Sequence, residues 1–211
     1  MRRAGAGPPH ALVLAAGQGR RFGGGKLLAL YRGRPLLSYA LEVVAAGCKA
    51  GVLGEGHVVV AAEDLGARRL IENAALHPII NDAPHLGLSH SVRLGLTTLE
   101  SRDTEPLGSA LIFLGDQPLV RLAVVEAVIA AWQGGSAAVV RPRYQGSPHV
   151  PGHPTLLDRS VWPLARQLEG DGGFASLLAS SDIDALTLDV PGDNPDVDTR
   201  GDLRALEESS S

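Results

Sequence analysis

The amino-acid sequence predicts an α/β fold in which a mostly parallel β-sheet is covered by helices on both faces. Two observations carry that expectation. Short apolar or β-branched runs of strand length alternate along the chain with segments of helical spacing, and several of those runs break directly into glycine-rich or carboxylate-bearing loops. In such sheets right-handed crossovers put the strand C-terminal ends on one edge, and ligands bind there.

Taken in order, strands are expected at Leu12–Ala15, His57–Ala61, Pro78–Ile80, Ala110–Leu114, Ala137–Arg141 and Ala185–Val190. The intervening segments Pro35–Ala46, Leu65–Ala75, Leu88–Leu99 and Leu119–Trp132 repeat apolar residues three and four apart, as a helix with one buried face requires. A further helical pair is expected near Asp158–Leu168 and Gly173–Ala179. Pro35 suits a first helical turn, and Gly47 and Gly134-Gly135 suit helix ends. The proline- and glycine-rich stretch from Pro142 to Pro154 reads as a long functional loop or a small excursion, not a linker. A chain of 211 residues buries one substantial core, so residues 10–206 are expected to form a single domain. Residues 1–9 and 207–211, small, polar or rich in breakers, are expected to be flexible ends.

Composition excludes several classes of function. A net charge of -4 argues against nucleic-acid binding driven by bulk electrostatics. No stretch approaches the ~20 apolar residues that span a bilayer, and the first apolar run is too short for an export signal. The single cysteine, Cys48, rules out an intrachain disulfide and a multi-cysteine metal site, and it suits a cytoplasmic location. His57, His77, His85, His90 and His149 have no spacing typical of a zinc site and are assigned to no metal.

The first strand runs into a loop from Gly17 to Lys26 that contains five glycines and three cations. Gly17 and Gly19 permit positive φ and close approach of backbone N–H groups to an anion, while Arg20, Arg21 and Lys26 supply charge. If these groups converge, the ligand is polyanionic, with a nucleoside triphosphate the natural candidate. The strand Ala110–Leu114 ends by delivering Asp116 to the same edge, as a Mg²⁺ ligand or as a helix N-cap. Ser89 and Ser91 fall in the first turns of the helix after the third strand, where hydroxyls read a base edge or a ribose, or where Ser89 caps the helix. Asp196 and Asp198 alternate, so an extended backbone points both to one side. They either complete a metal site with Asp116 or form a solvated acidic loop before the last helix. His153, between Gly152 and Pro154, either hydrogen-bonds a phosphorylated acceptor or is a structural loop residue.

The loop Leu14–Leu28, the segment Gly115-Asp-Gln-Pro-Leu-Val120, the tripeptide Gly152-His-Pro154 and Asp196-Val-Asp-Thr199 together resemble the molybdenum cofactor cytidylyltransferase branch of the nucleotidyltransferase superfamily, which carries a MobA-like NTP transferase domain. The resemblance implies a three-layer αβα, Rossmann-like fold and transfer of a nucleoside monophosphate to a phosphorylated small molecule, with release of pyrophosphate. It implies Asp116 as a Mg²⁺ ligand with help from Asp196 and Asp198, Lys26 and Arg21 on the triphosphate, and Ser91 against the nucleoside. Leu14, Ala15, Ala16, Gly17 and Gly19 belong to the nucleotide loop, and Gly152 and His153 lie on the acceptor side. Cytidylyl members tend to carry Leu-Ala-Ala-Gly, as this chain does, where guanylyl members tend to carry Leu-Ala-Gly-Gly, which favours CTP; the resemblance itself implies molybdopterin as acceptor. A molybdoenzyme or its chaperone is then the expected partner. Gln18-Gly19 departs from the Arg-Ser of many such relatives, and Ser147–Pro151 is extra.

Two other functions fit parts of the same pattern. Gly17-x-Gly19-x-x-x-Gly23 is similar to the fingerprint of an NAD(P)-dependent oxidoreductase, but no acidic residue ends a second strand about 20 residues on. A non-catalytic nucleotide-binding module has no need of Lys26 together with Asp116 and the later aspartates.

Overall fold

The computed structural model describes residues 7–102, 108–168, 170 and 183–209. Its strands are β1 (His10–Ala15), the short pair β2 (Leu30–Tyr31) and β3 (Arg34–Pro35), β4 (Gly56–Ala61), β5 (His77–Asn81), β6 (Ser109–Leu114), β7 (Val139–Tyr144), β8 (Thr155–Asp158) and β9 (Ala185–Val190). The helices are α1 (Leu36–Lys49), α2 (Leu65–Asn73), α3 (Leu88–Arg102), α4 (Leu122–Gly134), the single turn α5 (Trp162–Ala165) and α6 (Arg200–Glu208).

Seven strands form one sheet in the order β5-β4-β1-β6-β8-β7-β9, and β8 alone runs antiparallel to its neighbours. β1 lies inside it between β4 and β6 with every residue buried, which its uninterrupted apolar run from Ala11 to Ala15 makes possible. Alternation sends its side chains into two cores. Ala11, Val13 and Ala15 pack with α1, α2 and α4, whereas Leu12 and Leu14 pack with α3 and α5. The result is the three-layer αβα, Rossmann-like arrangement expected. A third, smaller cluster joins Phe22, Tyr31, Leu36, Val197 and Leu206, tying the loop after β1 to the segment before α6 and to α6 itself. Burying Phe22 and Val197 contributes about 1.5–3 kcal/mol each.

Several boundaries differ from the sequence expectation for identifiable reasons. Gly47 does not end α1, which continues to Lys49; a Cβ at Gly47 would come 2.6 Å from Leu53 Cδ1, so the glycine serves packing. α4 starts at Leu122 instead of Leu119, because the Leu119 N–H donates to Asn194 Oδ1 at 3.1 Å. The stretch Asp158–Leu168 forms a 3-10 turn at Arg159–Val161 and the one turn of α5, while Gly173–Ala179 lies outside the described residues. β8 was not expected at all. α6 extends through Glu207 and Glu208, held at its start by a capping box between Thr199 and Asp202. No helix among the described residues is long and apolar enough to cross a membrane.

Candidate active site

The loop after β1 owes its shape to glycine. Gly19, Gly23, Gly24 and Gly25 adopt φ of 57°, 87°, 90° and 64°, the left-handed region where a side chain is strained. Gly17, which would permit that conformation, does not adopt it; it is exposed with open space where a Cβ would sit, so it leaves room beside the backbone. Phe22, buried in the third cluster, anchors the loop so that Arg20, Arg21 and Lys26 face a cavity of about 750 Å³.

That cavity lies at the C-terminal ends of β1 and β6. Leu14, Ala15, Ala16, Gly17 and Gly19 line it together with the three cations, facing Asp116, Asp196 and Asp198, and Ser91 joins from α3. Lys26 Nζ donates to Asp116 Oδ2 at 2.5 Å and to Asp198 Oδ1 at 3.3 Å, and Arg21 Nη1 donates to Asp198 Oδ2 at 3.0 Å. Burial pulls the Lys26 ammonium down, but Asp116, with Asp198 behind it, outweighs that and holds it above its ordinary value. Lys26 is therefore a cation across the physiological range. Burial, and then the neighbouring Asp116 carboxylate, push the Asp196 carboxyl up against the opposing hydrogen bond from Gln117.

Backbone contacts fix where these carboxylates stand. The Val197 N–H donates to the Asp116 carbonyl at 3.2 Å, joining the segment after β9 to the end of β6. Asp202 of the capping box also accepts from the Asp198 N–H at 3.0 Å, which leaves the Asp198 side chain for Lys26 and Arg21. Val197 packs in the third cluster while its two aspartate neighbours line the cavity, as alternation demands. Since α4 begins six residues after Asp116, that residue is not its cap.

Several participants carried no sequence signal. Gln117 Nε2 donates to Asp196 Oδ1 at 2.8 Å, and Asn194 Nδ2 donates to Gln117 Oε1 at 3.1 Å, so two buried amides steer one carboxylate. Asn81 Nδ2 donates to Ser91 Oγ at 3.1 Å and orients that hydroxyl. Ser89, by contrast, is fully buried within α3, outside the cavity wall, and neither caps the helix nor faces the cavity. Arg20, whose Nε donates to Gln18 Oε1 at 2.9 Å, lines the cavity beside Arg21 although adjacent side chains usually diverge.

Gly152 and His153 stand beyond the cavity wall, on the β7–β8 side. His153 Nδ1 lies 3.3 Å from the Ile112 carbonyl, and Tyr144 Oη donates to the His153 carbonyl at 2.8 Å. Burial, with Arg141 nearby, pushes the His153 imidazole down to about 4, so it is neutral at pH 7. Arg141 is itself buried; its Nη2 donates to the Pro151 carbonyl at 2.6 Å, and among the described residues no carboxylate pairs with it. Burial lowers its pKa from the ordinary value.

A cationic glycine loop facing three carboxylates at the C-terminal edge of a parallel sheet defines an α/β domain suited to a polyanionic ligand. The chain belongs to the MobA-like NTP transferase domain family, whose model matches residues 11–186. It is 34% identical over 142 residues to the bifunctional protein GlmU of Anaeromyxobacter dehalogenans (strain 2CP-1 / ATCC BAA-258), a match covering 63% of this chain and 26% of that protein. It is 29% identical over 148 residues to a probable molybdenum cofactor guanylyltransferase of Thermococcus gammatolerans, covering 67% of this chain and 65% of the relative. The chain thus spans about a quarter of the length of the GlmU proteins it matches. Among solved structures, Rv0371c from Mycobacterium tuberculosis H37Rv superposes with a TM-score of 0.77 at 28% identity, covering 96% of this chain and 98% of the other. The complex of Rv0371c with manganese gives 0.76 at 26% identity, covering 96% and 99%.

Proposed function

We propose that this chain is a nucleotidyltransferase that moves CMP from CTP to the phosphate of a small-molecule acceptor, molybdopterin or its molybdenum-loaded form, and releases pyrophosphate. The observation that carries the reading is Lys26, held as a cation between Asp116 and Asp198 on the wall of a cavity that the rest of the anion loop also lines.

The donor set fits a divalent cation. Asp116, Asp196 and Asp198 offer only oxygen, which Mg²⁺ prefers, and the repulsion from Asp116 that helps raise Asp196 is of the kind a bound cation relieves. The manganese complex of Rv0371c supports a divalent metal here. When bound, Mg²⁺ would neutralise charge on phosphate oxygens. Arg21 and Lys26 hold the β and γ groups, and the backbone at Gly17 and Gly19 approaches the same anion. Leu14, Ala15, Ala16 and Ser91 flank the nucleoside, while Ser89 is left out because it lies behind the wall.

An acceptor phosphate is already ionised at neutral pH, so no dedicated base is required. Its oxygen bonds to the α-phosphorus as the bond from that phosphorus to the bridging oxygen breaks, and pyrophosphate leaves with the electron pair. The residues' work is in-line alignment and stabilisation of the departing charge. On the acceptor side, Gly152 and neutral His153 orient the incoming group and buried Arg141 offers it a counter-charge. We place the reaction in the cytoplasm, with a molybdoenzyme or its chaperone taking the product.

A guanylyl reading has in its favour the names of two Thermococcus relatives. Against it stands the segment Leu14-Ala-Ala-Gly17 on the cavity wall, which resembles cytidylyl members where guanylyl members tend to carry Leu-Ala-Gly-Gly. The test is pyrophosphate release with each of the four NTPs and Mg²⁺, against phosphorylated acceptors that include molybdopterin. CTP with molybdopterin is expected to react fastest. Preference for GTP removes the base assignment, and reaction of a sugar phosphate but no pterin removes the acceptor. Thermal stabilisation by NAD(H) with none by CTP plus Mg²⁺ overturns the whole reading.

A further inference from the structure

At the sheet edge opposite the nucleotide cavity, the starts of three adjacent strands bring imidazoles together. His10 opens β1, His77 opens β5, and His57 is the second residue of β4, which lies between them. His57 and His77 are register partners, and His57 is paired with Leu12, two residues along from His10, so all three histidines share the sheet face turned toward α3. Ring centroids are 5.7 Å apart for His10 and His57, and 5.2 Å for His57 and His77. Glu55 lies just before β4, with Oε2 3.4 Å from His57 Nε2 and 3.8 Å from His77 Nε2. One ligand atom from each of His10, Glu55 and His57 falls within 4.8 Å of the others.

We propose that His10, His57 and Glu55, with His77 as fourth ligand, bind a divalent transition-metal cation of the zinc class. With metal–ligand bonds of about 2.0–2.1 Å, ligand atoms in a tetrahedral site stand roughly 3.3 Å apart. The separation between Glu55 and His57 already matches that value, and the rest need small side-chain rotations. The burial pattern allows them: His10 and His57 are 9% and 1% exposed and hold their places, while the Glu55 and His77 side chains are 56% and 50% exposed and can turn. The chain also leaves room for the His10 ring. A Cβ at Gly54 would come 2.4 Å from His10 Cδ2 and 2.7 Å from Nε2, so any other residue there displaces the ligand nitrogen. Three imidazoles and one carboxylate select zinc-class ions over Mg²⁺, which favours an all-oxygen shell.

The sequence separations explain why no zinc motif is visible. The ligands come from successive strands whose crossovers lie between them, so their spacing is set by the sheet and not by a short loop. The six residues of β1 rise roughly 17 Å from His10 to Ala15, which keeps the ion clear of the nucleotide. Its role is to tie the starts of β1, β4 and β5, and binding to the folded chain alone converts to stability by linkage.

The test titrates Zn²⁺ into the metal-free full chain in excess Mg²⁺, which occupies carboxylate sites, and repeats the titration with Co²⁺ to read ligand geometry from its visible absorption. One equivalent of Zn²⁺ is expected, with a tetrahedral Co²⁺ spectrum and a raised Tm. Glu55→Gln and His77→Ala alter exposed side chains and are expected to leave the fold intact by circular dichroism. Each should weaken Zn²⁺ binding at least about tenfold, and the double variant should abolish the Tm shift while Mg²⁺-supported pyrophosphate release is unchanged. Zn²⁺ affinity unaltered in the double variant, or no binding by the unmodified chain, overturns the proposal.

Discussion

The two halves of the sheet meet the ligand edge under opposite electrostatic conditions. On the β1 side every central charge has a partner: Lys26 sits between Asp116 and Asp198, and Arg21 rests on Asp198. On the β7 side Arg141 is buried without a carboxylate partner among the described residues, and His153 is kept neutral. The paired half is organised before any ligand arrives and resists rearrangement. The unpaired half carries an electrostatic cost that an incoming anion reduces.

The comparison breaks first at Asp116. Asp116→Ala is expected to lower pyrophosphate release at least about 10³-fold. It should shift Tm little, because Lys26 keeps Asp198. A steady-state assay with a thermal melt reads both, and full activity would take Asp116 out of the chemistry and leave the ordered half with only a structural meaning.

The next largest effect concerns the other half. The His153 imidazole has a folded pKa of about 4 against an ordinary value of 6.5, so the unfolded chain binds more protons between those values. Its contribution is fully present above pH 6.5 and is lost as pH falls toward 4, by on the order of 3 kcal/mol at most. Urea unfolding at pH 7, 5.5 and 4.5 should show this loss, and His153→Gln should flatten it. Equal slopes in the two proteins would mean that protonation of His153 is not penalised. The smallest effect sharpens the contrast within the ordered half: Gln117→Ala frees Asp196 from its hydrogen bond and is expected to cost about tenfold in activity, mainly as a raised requirement for Mg²⁺.

Legibility followed the same divide. β1 and the loop after it were readable because an apolar run and a string of glycines are dictated locally. That Asp196 and Asp198 point to one side was readable from alternation, and both line the cavity. β8 was not, since four residues between breaker-rich segments show no period and the strand gains its partners from β6 and β7. Gln117, Asn194 and Asn81 are ordinary polar residues until the fold brings them to a carboxylate or a hydroxyl. Ser89 and Ser91 differ by only two positions in one helix, yet the roughly 200° turn between them puts one behind the wall and the other on it. The histidines at the far edge had no motif to offer because their proximity exists only across strands.

The third cluster gives the molecule a chronology. Phe22 packs with Val197 and Leu206, and Arg21 and Lys26 pair with Asp198 across 177 and 172 residues. A chain emerging from the ribosome can lay down β1 and its neighbours early, but the glycine loop acquires its carboxylates only after the segment around residue 200 has been made. The loop after β1 is therefore completed only once the segment around residue 200 exists, and a chain truncated ahead of that segment cannot present the assembled phosphate site.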